Sequence, residues 1–243
     1  MPPTDFDVYQ GMSWTERARH GVFGIALDLA DRMGKKNRFM DAVHQIAIRR
    51  ALGGAHRSFR RALDFGCGGG RLLPLLKDYA AEVYGVDRTQ ACLDLATARN
   101  IIPPERLLCW RESVLPFASG FFDLVLCVYV LLTQEALTEL TGELGRVCAS
   151  GGLAVVLEQA DNRRALTLES YETAFAAAGF KVQSALPVRH SSGSRAMALA
   201  TRPWSPAWLA PLAAGWELTL ASSSRYTETT PGYYDYLFLL VKT

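Results

Sequence analysis

Asp64-Phe65-Gly66-Cys67-Gly68-Gly69-Gly70 decides the fold of this 243-residue chain. Residues 61–65 read as a short strand and residues 71–79 as a helix, with the glycine run between them. Glycines there let the backbone turn sharply and approach a ligand closely. The helix start behind them offers free N–H groups. Open α/β sheets bind nucleotides at this place, outside the carboxyl ends of their strands. The dinucleotide fingerprint G-x-G-x-x-G fails here, because its third glycine, counted from Gly66, falls on Arg71. The spacing present is Asp64-x-Gly66-x-Gly68-x-Gly70, with an acid just ahead of the loop. A carboxylate there repels a pyrophosphate and suits a cofactor bearing an ammonium and a sulfonium. Local chemistry therefore favours S-adenosylmethionine over NAD. Cys67 inside the loop reads better as a small residue packed under the cofactor than as a redox thiol.

Outward from the loop, strands and helices alternate. Residues 82–86 form the next strand, and Asp87 ends it, 17 residues beyond Gly70. A carboxylate at that strand end can accept both ribose hydroxyls, although this position alone does not separate the two cofactors. A helix over 89–99 and the Pro103-Pro104 break follow, then strands at 107–110, 123–128 and 153–158, with a helix at about 134–149 between the last two. A helix over 168–178 stops at Gly179, and strands at 180–188 and 236–241 complete the pattern. Such alternation means βαβ units and a mostly parallel sheet. The nearly continuous apolar runs 124–132 and 153–157 suit strands covered on both faces. Ahead of the first strand, apolar spacing predicts helices over 13–33, with a Ser13/Glu16 capping box, and over about 37–52. The expected division is a helical cap over 1–60 and an α/β domain over 61–243.

The composition sets limits. Hydrophobic residues make up 49%, enough for a full core. The net charge of +2 favours no nucleic-acid partner, but residues 1–62 hold eleven Lys/Arg against six Asp/Glu. A basic cap can attract an anionic substrate; solvated helix faces explain it more simply. Five cysteines without CxxC spacing argue against a zinc site and for a reducing, cytoplasmic setting. No apolar run approaches about 20 residues, so no membrane span is expected.

Taken as a set, residues 64–70, the strand 83–87, Leu115-Pro116-Phe117, Phe122-Asp123 and Gly151-Gly152 resemble successive motifs of the class I methyltransferases. The ubiquinone/menaquinone-biosynthesis-like branch looks nearest, over about residues 61–188. The resemblance implies a Rossmann-like sheet of seven strands with the last antiparallel, and S-adenosylmethionine as cofactor with S-adenosylhomocysteine as product. It also implies that Gly66 and Gly68 approach the methionine end, Asp87 holds the ribose, and Ser113 and Val114 lie beside the adenine. Many relatives carry an aspartate just before the Leu-Pro-Phe run. Here the stretch is Arg111-Glu112-Ser113-Val114, so either Glu112 substitutes or the contact is backbone only. The candidate cofactor set is Asp64, Gly66, Cys67, Gly68, Gly70, Asp87, Arg88, Glu112, Ser113, Val114 and Cys127.

Methyl transfer from a sulfonium is an in-line displacement, and the protein mainly aligns the partners and excludes water. A general base is needed only if the acceptor must lose a proton early. Tyr129, His20, His44 and His190 are candidates, with His56 behind them, and the sequence selects none. Asp161-Asn162 resembles two magnesium ligands of catechol-type O-methyltransferases, but the stretch after the fourth strand lacks the third acid, so no metal is expected. Residues 189–232 form an insertion in which Ser205-Pro206 reads as a helix start and Pro211 as a kink. Its Trp204, Trp208 and Trp216 either wall an acceptor pocket, make a subunit contact or cover the sheet edge. The favoured function is methylation of a small molecule at O, N or C in secondary or cofactor metabolism, with a homodimer possible. An RNA or protein methyltransferase and a non-catalytic methyltransferase-like subunit are the alternatives.

Overall fold

The computed structural model describes residues 6–7, 12–26, 28–53, 58–161, 165–190, 194–223 and 234–243. After a two-strand pair, β1 (Phe6–Asp7) and β2 (Met12–Ser13), come α1 (Trp14–Ala18), α2 (Gly21–Ala26) and α3 (Lys35–Ala51). Then follow β3 (Phe59–Phe65), α4 (Leu73–Lys77), β4 (Ala80–Asp87), α5 (Gln90–Ala98), β5 (Leu107–Cys109), β6 (Phe122–Val128), α6 (Gln134–Val147) and β7 (Cys148–Ala160). The chain continues through α7 (Leu168–Ala177), β8 (Phe180–His190), α8 (Arg195–Ala200), α9 (Leu209–Ser223) and β9 (Tyr234–Lys242).

Seven strands form one open sheet in the order β5-β4-β3-β6-β7-β9-β8. All pairs from β5 to β7 are parallel, and β9 runs antiparallel between β7 and β8. The expected Rossmann-like sheet is therefore present, with the reversed strand where the resemblance put it. The chain winds outward from β3 in both directions, so β3 and β6 flank the topological switch point, where a crevice opens at the carboxyl edge. One sheet face is covered by α3, α4, α8 and α9 through residues such as Phe39, Val43, Leu76 and Leu218. The other is covered by α6 and α7, with Leu137, Leu140, Leu144 and Val147 turned inward as the helical spacing predicts.

Two expectations about helices need correction. The helix expected over 13–33 is two short ones. The Ser13/Glu16 capping box forms, but Gly21 adopts φ +76° and breaks the run. Downstream, the Asp28 carboxylate accepts the Ala30 N–H, and the Asn37 side chain accepts the Asp28 N–H. Such local side-chain bonds compete with helix continuation. Gly34, just past the end of that expected helix, is the left-handed N-cap of α3. In the insertion, α9 begins at Leu209 rather than after Ser205. Pro211 consequently falls in the first turn, where its missing N–H breaks no helix bond, and no kink is needed. α8, capped by Ser194, was not anticipated.

Candidate functional site

The glycine loop leaves β3 at the crevice. Gly66, Gly68 and Gly70 adopt φ of +77°, +51° and +73°, which side chains rarely tolerate. Each has a different neighbour. A Cβ at Gly66 would lie 2.4 Å from Val130 Cγ2, and one at Gly68 would lie 3.0 Å from Ile25 Cγ2. One at Gly70 would meet Leu73 at 2.8 Å and Ala96 at 3.3 Å, so this glycine serves helix packing. Cys67 is buried against Gly85 of β4, and burial holds its thiol protonated.

Two carboxylates flank the loop. Asp87, at the end of β4, accepts the Gly68 N–H through Oδ2 at 2.8 Å and the Thr89 N–H through Oδ1 at 2.9 Å. The acid that ends one strand thereby fixes the loop that leaves the next. Asp64 is buried, which pushes its carboxyl up to about 7; Arg71 pulls against this shift and Asp87 adds to it. A buried acid poised in this way gains a full charge when a cation arrives beside it. Arg88 stacks on Trp110, its guanidinium carbon 4.7 Å from the ring centroid. Glu112, Ser113 and Val114 follow Trp110 on the exposed side of the chain.

Across the crevice, β6 is followed by Tyr129, a non-glycine residue at φ +58°. Such backbone costs about 1–3 kcal/mol and persists only where its surroundings dictate it. Glu158, wholly buried at the end of β7, supplies that restraint. Its Oε1 accepts the N–H groups of Val130 at 2.7 Å and Leu131 at 2.9 Å. Burial pushes the Glu158 carboxyl up to about 8 in spite of these bonds. Cys127 is buried beneath, its Sγ turned toward Glu158.

The Tyr129 hydroxyl lies 3.1 Å from His44 Nε2, with the two rings edge to face. Arg71 Nη2 donates to His44 Nδ1 at 3.3 Å, and Arg71 Nη1 to Asp41 at 2.6 Å. His44 is fully buried, and desolvation with Arg71 and Arg189 nearby depresses its pKa well below the usual histidine value. Arginine only donates, so Nδ1 of this neutral ring is an acceptor and Nε2 carries the proton. The chain of bonds thus runs Asp41–Arg71–His44–Tyr129 and ties α3 to both sides of the crevice. Further along the same edge, Arg189 of β8 donates to Asp235 of β9 at 2.9 Å, both buried. Glu217 of α9 sits beside this pair, bonded to Ser194, and burial pushes it up to about 7.

The structure brings together Asp64, Gly66, Gly68, Asp87, His44 and Tyr129. His20 is exposed on the turn between α1 and α2. The backbone of His190 ends β8, its side chain lies outside the described residues, and so do His56 and Asn162. Asp161 forms a backbone bridge with Leu166. Sequence reasoning missed Arg71, Glu158, Arg189, Asp235 and Glu217. Arg71 had a signal: it stands where the dinucleotide fingerprint wants its last glycine.

Residues 63–156 match a family described as "Methyltransferase domain". A ubiquinone biosynthesis O-methyltransferase of Burkholderia orbicola (strain MC0-3) is 32% identical over 80 residues, 32% of this chain and 34% of that protein. A demethylmenaquinone methyltransferase of Thermus thermophilus is 37% identical over 105 residues, 41% of this chain and 47% of that one. The matched stretches thus span only a third to a half of these relatives' own length. Among solved structures, a geranyl diphosphate C-methyltransferase of Streptomyces coelicolor, solved with S-adenosylhomocysteine, superposes with TM-score 0.60 at 14% identity, covering 89% of this chain and 83% of that one. The [4+2]-cyclase SpnF superposes with TM-score 0.56 at 21% identity, covering 83% and 81%. By the family match, residues 63–156 form a methyltransferase domain, and its sheet order and glycine loop belong to the fold that these solved structures share.

Proposed function

We propose that the chain transfers a methyl group from S-adenosylmethionine to O, N or C of a small molecule, in secondary or cofactor metabolism. The observation that carries this reading is the crevice itself: a left-handed glycine cradle between two carboxylates on one side and a restrained, hydrogen-bonded tyrosine on the other. The donor set fits the cofactor. Asp64 suits the ammonium, Gly66 and Gly68 the close approach of the methionine end, and Asp87 the ribose hydroxyls. Cys67 and Gly70 shape the loop from beneath, Cys127 underlies the crevice, and Arg88, Glu112, Ser113 and Val114 line the adenine side. Bound here, the cofactor supplies an already activated methyl group. Ile25 and Val130, the apolar side chains on the loop, keep water from the sulfonium.

The residues across the crevice position the acceptor. His44 Nε2–H donates to the Tyr129 oxygen, which fixes the phenol and directs its own hydrogen toward an acceptor heteroatom. His44 itself is poorly placed to take a proton, since its one lone pair is engaged by Arg71. Tyr129 therefore orients the nucleophile by donating its hydrogen to it, and neither it nor His44 takes the acceptor's proton. None of the five cysteines is in a disulfide, which supports work in a reducing, cytoplasmic compartment.

Calorimetric titration with S-adenosylmethionine and S-adenosylhomocysteine tests the cofactor half. Micromolar binding is expected, weakened in Asp87→Ala by at least ~1.4 kcal/mol, or tenfold. Failure of either ligand to bind well-folded protein would sink the proposal. The cyclase among the fold neighbours favours one second reading, a chain that binds the cofactor without methyl transfer. Binding without turnover across catechol, quinol, amine and carbon acceptors would select it.

A further inference from the structure

The inner face of α9 packs Ala210, Ala213, Ala214 and Leu218 into the core shared with α3. Its outer face is also apolar. Trp208, just ahead of the helix, is 66% exposed, Leu212 65%, Trp216 45% and Leu220 38%; Trp204, in the preceding turn, is 66% exposed. Side chains four apart lie above one another on a helix, so Trp208, Leu212, Trp216 and Leu220 form a continuous ridge roughly 18 Å long. The neighbouring row, Pro211, Gly215 and Thr219, is small, and a Cβ at Gly215 would have nothing within 4 Å. Ridge and groove thus lie side by side on one helix. That arrangement is self-complementary: the ridge of one α9 fits the groove of another when the two cross about a two-fold axis.

We propose that this face is the contact between two copies of the chain. The area is of the right order. At these exposures the five side chains leave roughly 600 Å² of apolar surface in water, at the upper end of what monomers carry and most of the ~800 Å² each partner buries in a standard interface. Charge agrees. A two-fold contact sets each surface charge against its own image; between residues 209 and 223 the only ionisable side chain is Glu217, buried on the inner face, and Arg202, over the Trp204 ring, stands at the edge of the patch. A bilayer surface is the poorer match, because a helix lying on lipid carries Lys and Arg along its polar flank and α9 has neither. The same helix clamps α3, so a partner copy would press on the element that holds His44.

Sedimentation velocity on the full chain from about 1 to 100 μM tests this. The wild type should sediment as two chains. Leu212→Glu, at an exposed position that leaves the monomer fold intact, should raise the dissociation constant at least 100-fold. Gly215→Leu fills the groove without adding charge and should also weaken the pair, with circular dichroism unchanged in both. A wild type that remains a single chain at 100 μM, or variants that pair as tightly as the wild type, would overturn the proposal. So would a monomer that sediments with phosphatidylcholine/phosphatidylglycerol vesicles and loses them in Leu212→Glu, since lipid would then be what covers the face.

Discussion

The two sides of the crevice are built on opposite plans. The proposed cofactor side is local: Asp64 to Gly70 form one continuous segment, braced by Val86 and Asp87 of the adjacent strand and by Arg99 of the helix that follows it. The acceptor side is assembled from afar. Tyr129 follows β6, Glu158 comes from β7, His44 from α3, Arg189 and Asp235 from β8 and β9, and Glu217 from α9. A shared cofactor calls for a fixed cradle, which a short motif can encode. An acceptor specific to each enzyme calls for a wall that can change, and separate segments can change one at a time. The cofactor side is shaped by backbone conformation; the acceptor side is held by buried charge.

That contrast predicts different failures. Asp235→Ala should have the largest effect, because it removes the carboxylate that the buried Arg189 guanidinium faces. Loss of one member of such a pair costs about 3–5 kcal/mol, seen as a fall in melting temperature of about 10 °C or more. Cofactor affinity in the still-folded variant should hold; a tenfold loss would mean that the two sides do not act separately. Gly66→Ala combines strain at φ +77° with a clash against stiff, β-branched Val130. It should cost about 2 kcal/mol of stability and cofactor binding as well. Binding of wild-type strength by this variant would refute a cradle built on backbone approach.

Tyr129→Phe keeps the ring and the backbone but removes the hydroxyl. Turnover of the eventual acceptor should drop about 10–100-fold, with calorimetric binding of S-adenosylmethionine unchanged. A fully active variant would leave acceptor orientation to other groups. The smallest effect is a slope. The Glu158 carboxyl, ordinarily near 4.5, sits at about 8 in the fold. Between those values the native state holds a proton that the unfolded state has lost, so stability is greatest below about 4.5 and declines as pH rises through 8. Asp64 and Glu217, each near 7, act with the same sign. The melting temperature should therefore decline from pH 5.5 to 8.5. Glu158→Gln, whose amide oxygen can still accept the Val130 and Leu131 N–H groups, should flatten that decline. An unchanged slope would place the titration elsewhere.

The same division governs how much could be read in advance. Helix and strand periods, the acid-glycine loop and the position of Asp87 at a strand end were legible as local patterns, whereas the reversed last strand was implied only by the family resemblance. The break at Gly21 and Asp28 was not, since the apolar spacing across 22–33 continues through a stretch where side-chain bonds win over the helix. His44 was one of four interchangeable histidines, and only the fold sets it between Arg71 and Tyr129. Glu158, Arg189, Asp235 and Glu217 are charged residues that pattern reading assigns to water. Their burial follows from strand pairing across dozens of residues, which no window of sequence contains.

The position of β9 between β7 and β8 bears on how the molecule is made. Among the described residues β8 has no neighbouring strand other than β9, and 43 residues separate the end of the one from the start of the other. On a translating ribosome, at about 5–20 residues per second, β7 and β8 therefore wait for several seconds with open edges. During that interval the nascent chain presents an apolar β7 edge to any other strand within reach. Cells making this protein quickly would be expected to need a chaperone at that stage of synthesis, and slow codons between residues 190 and 234 would lengthen the exposure rather than relieve it.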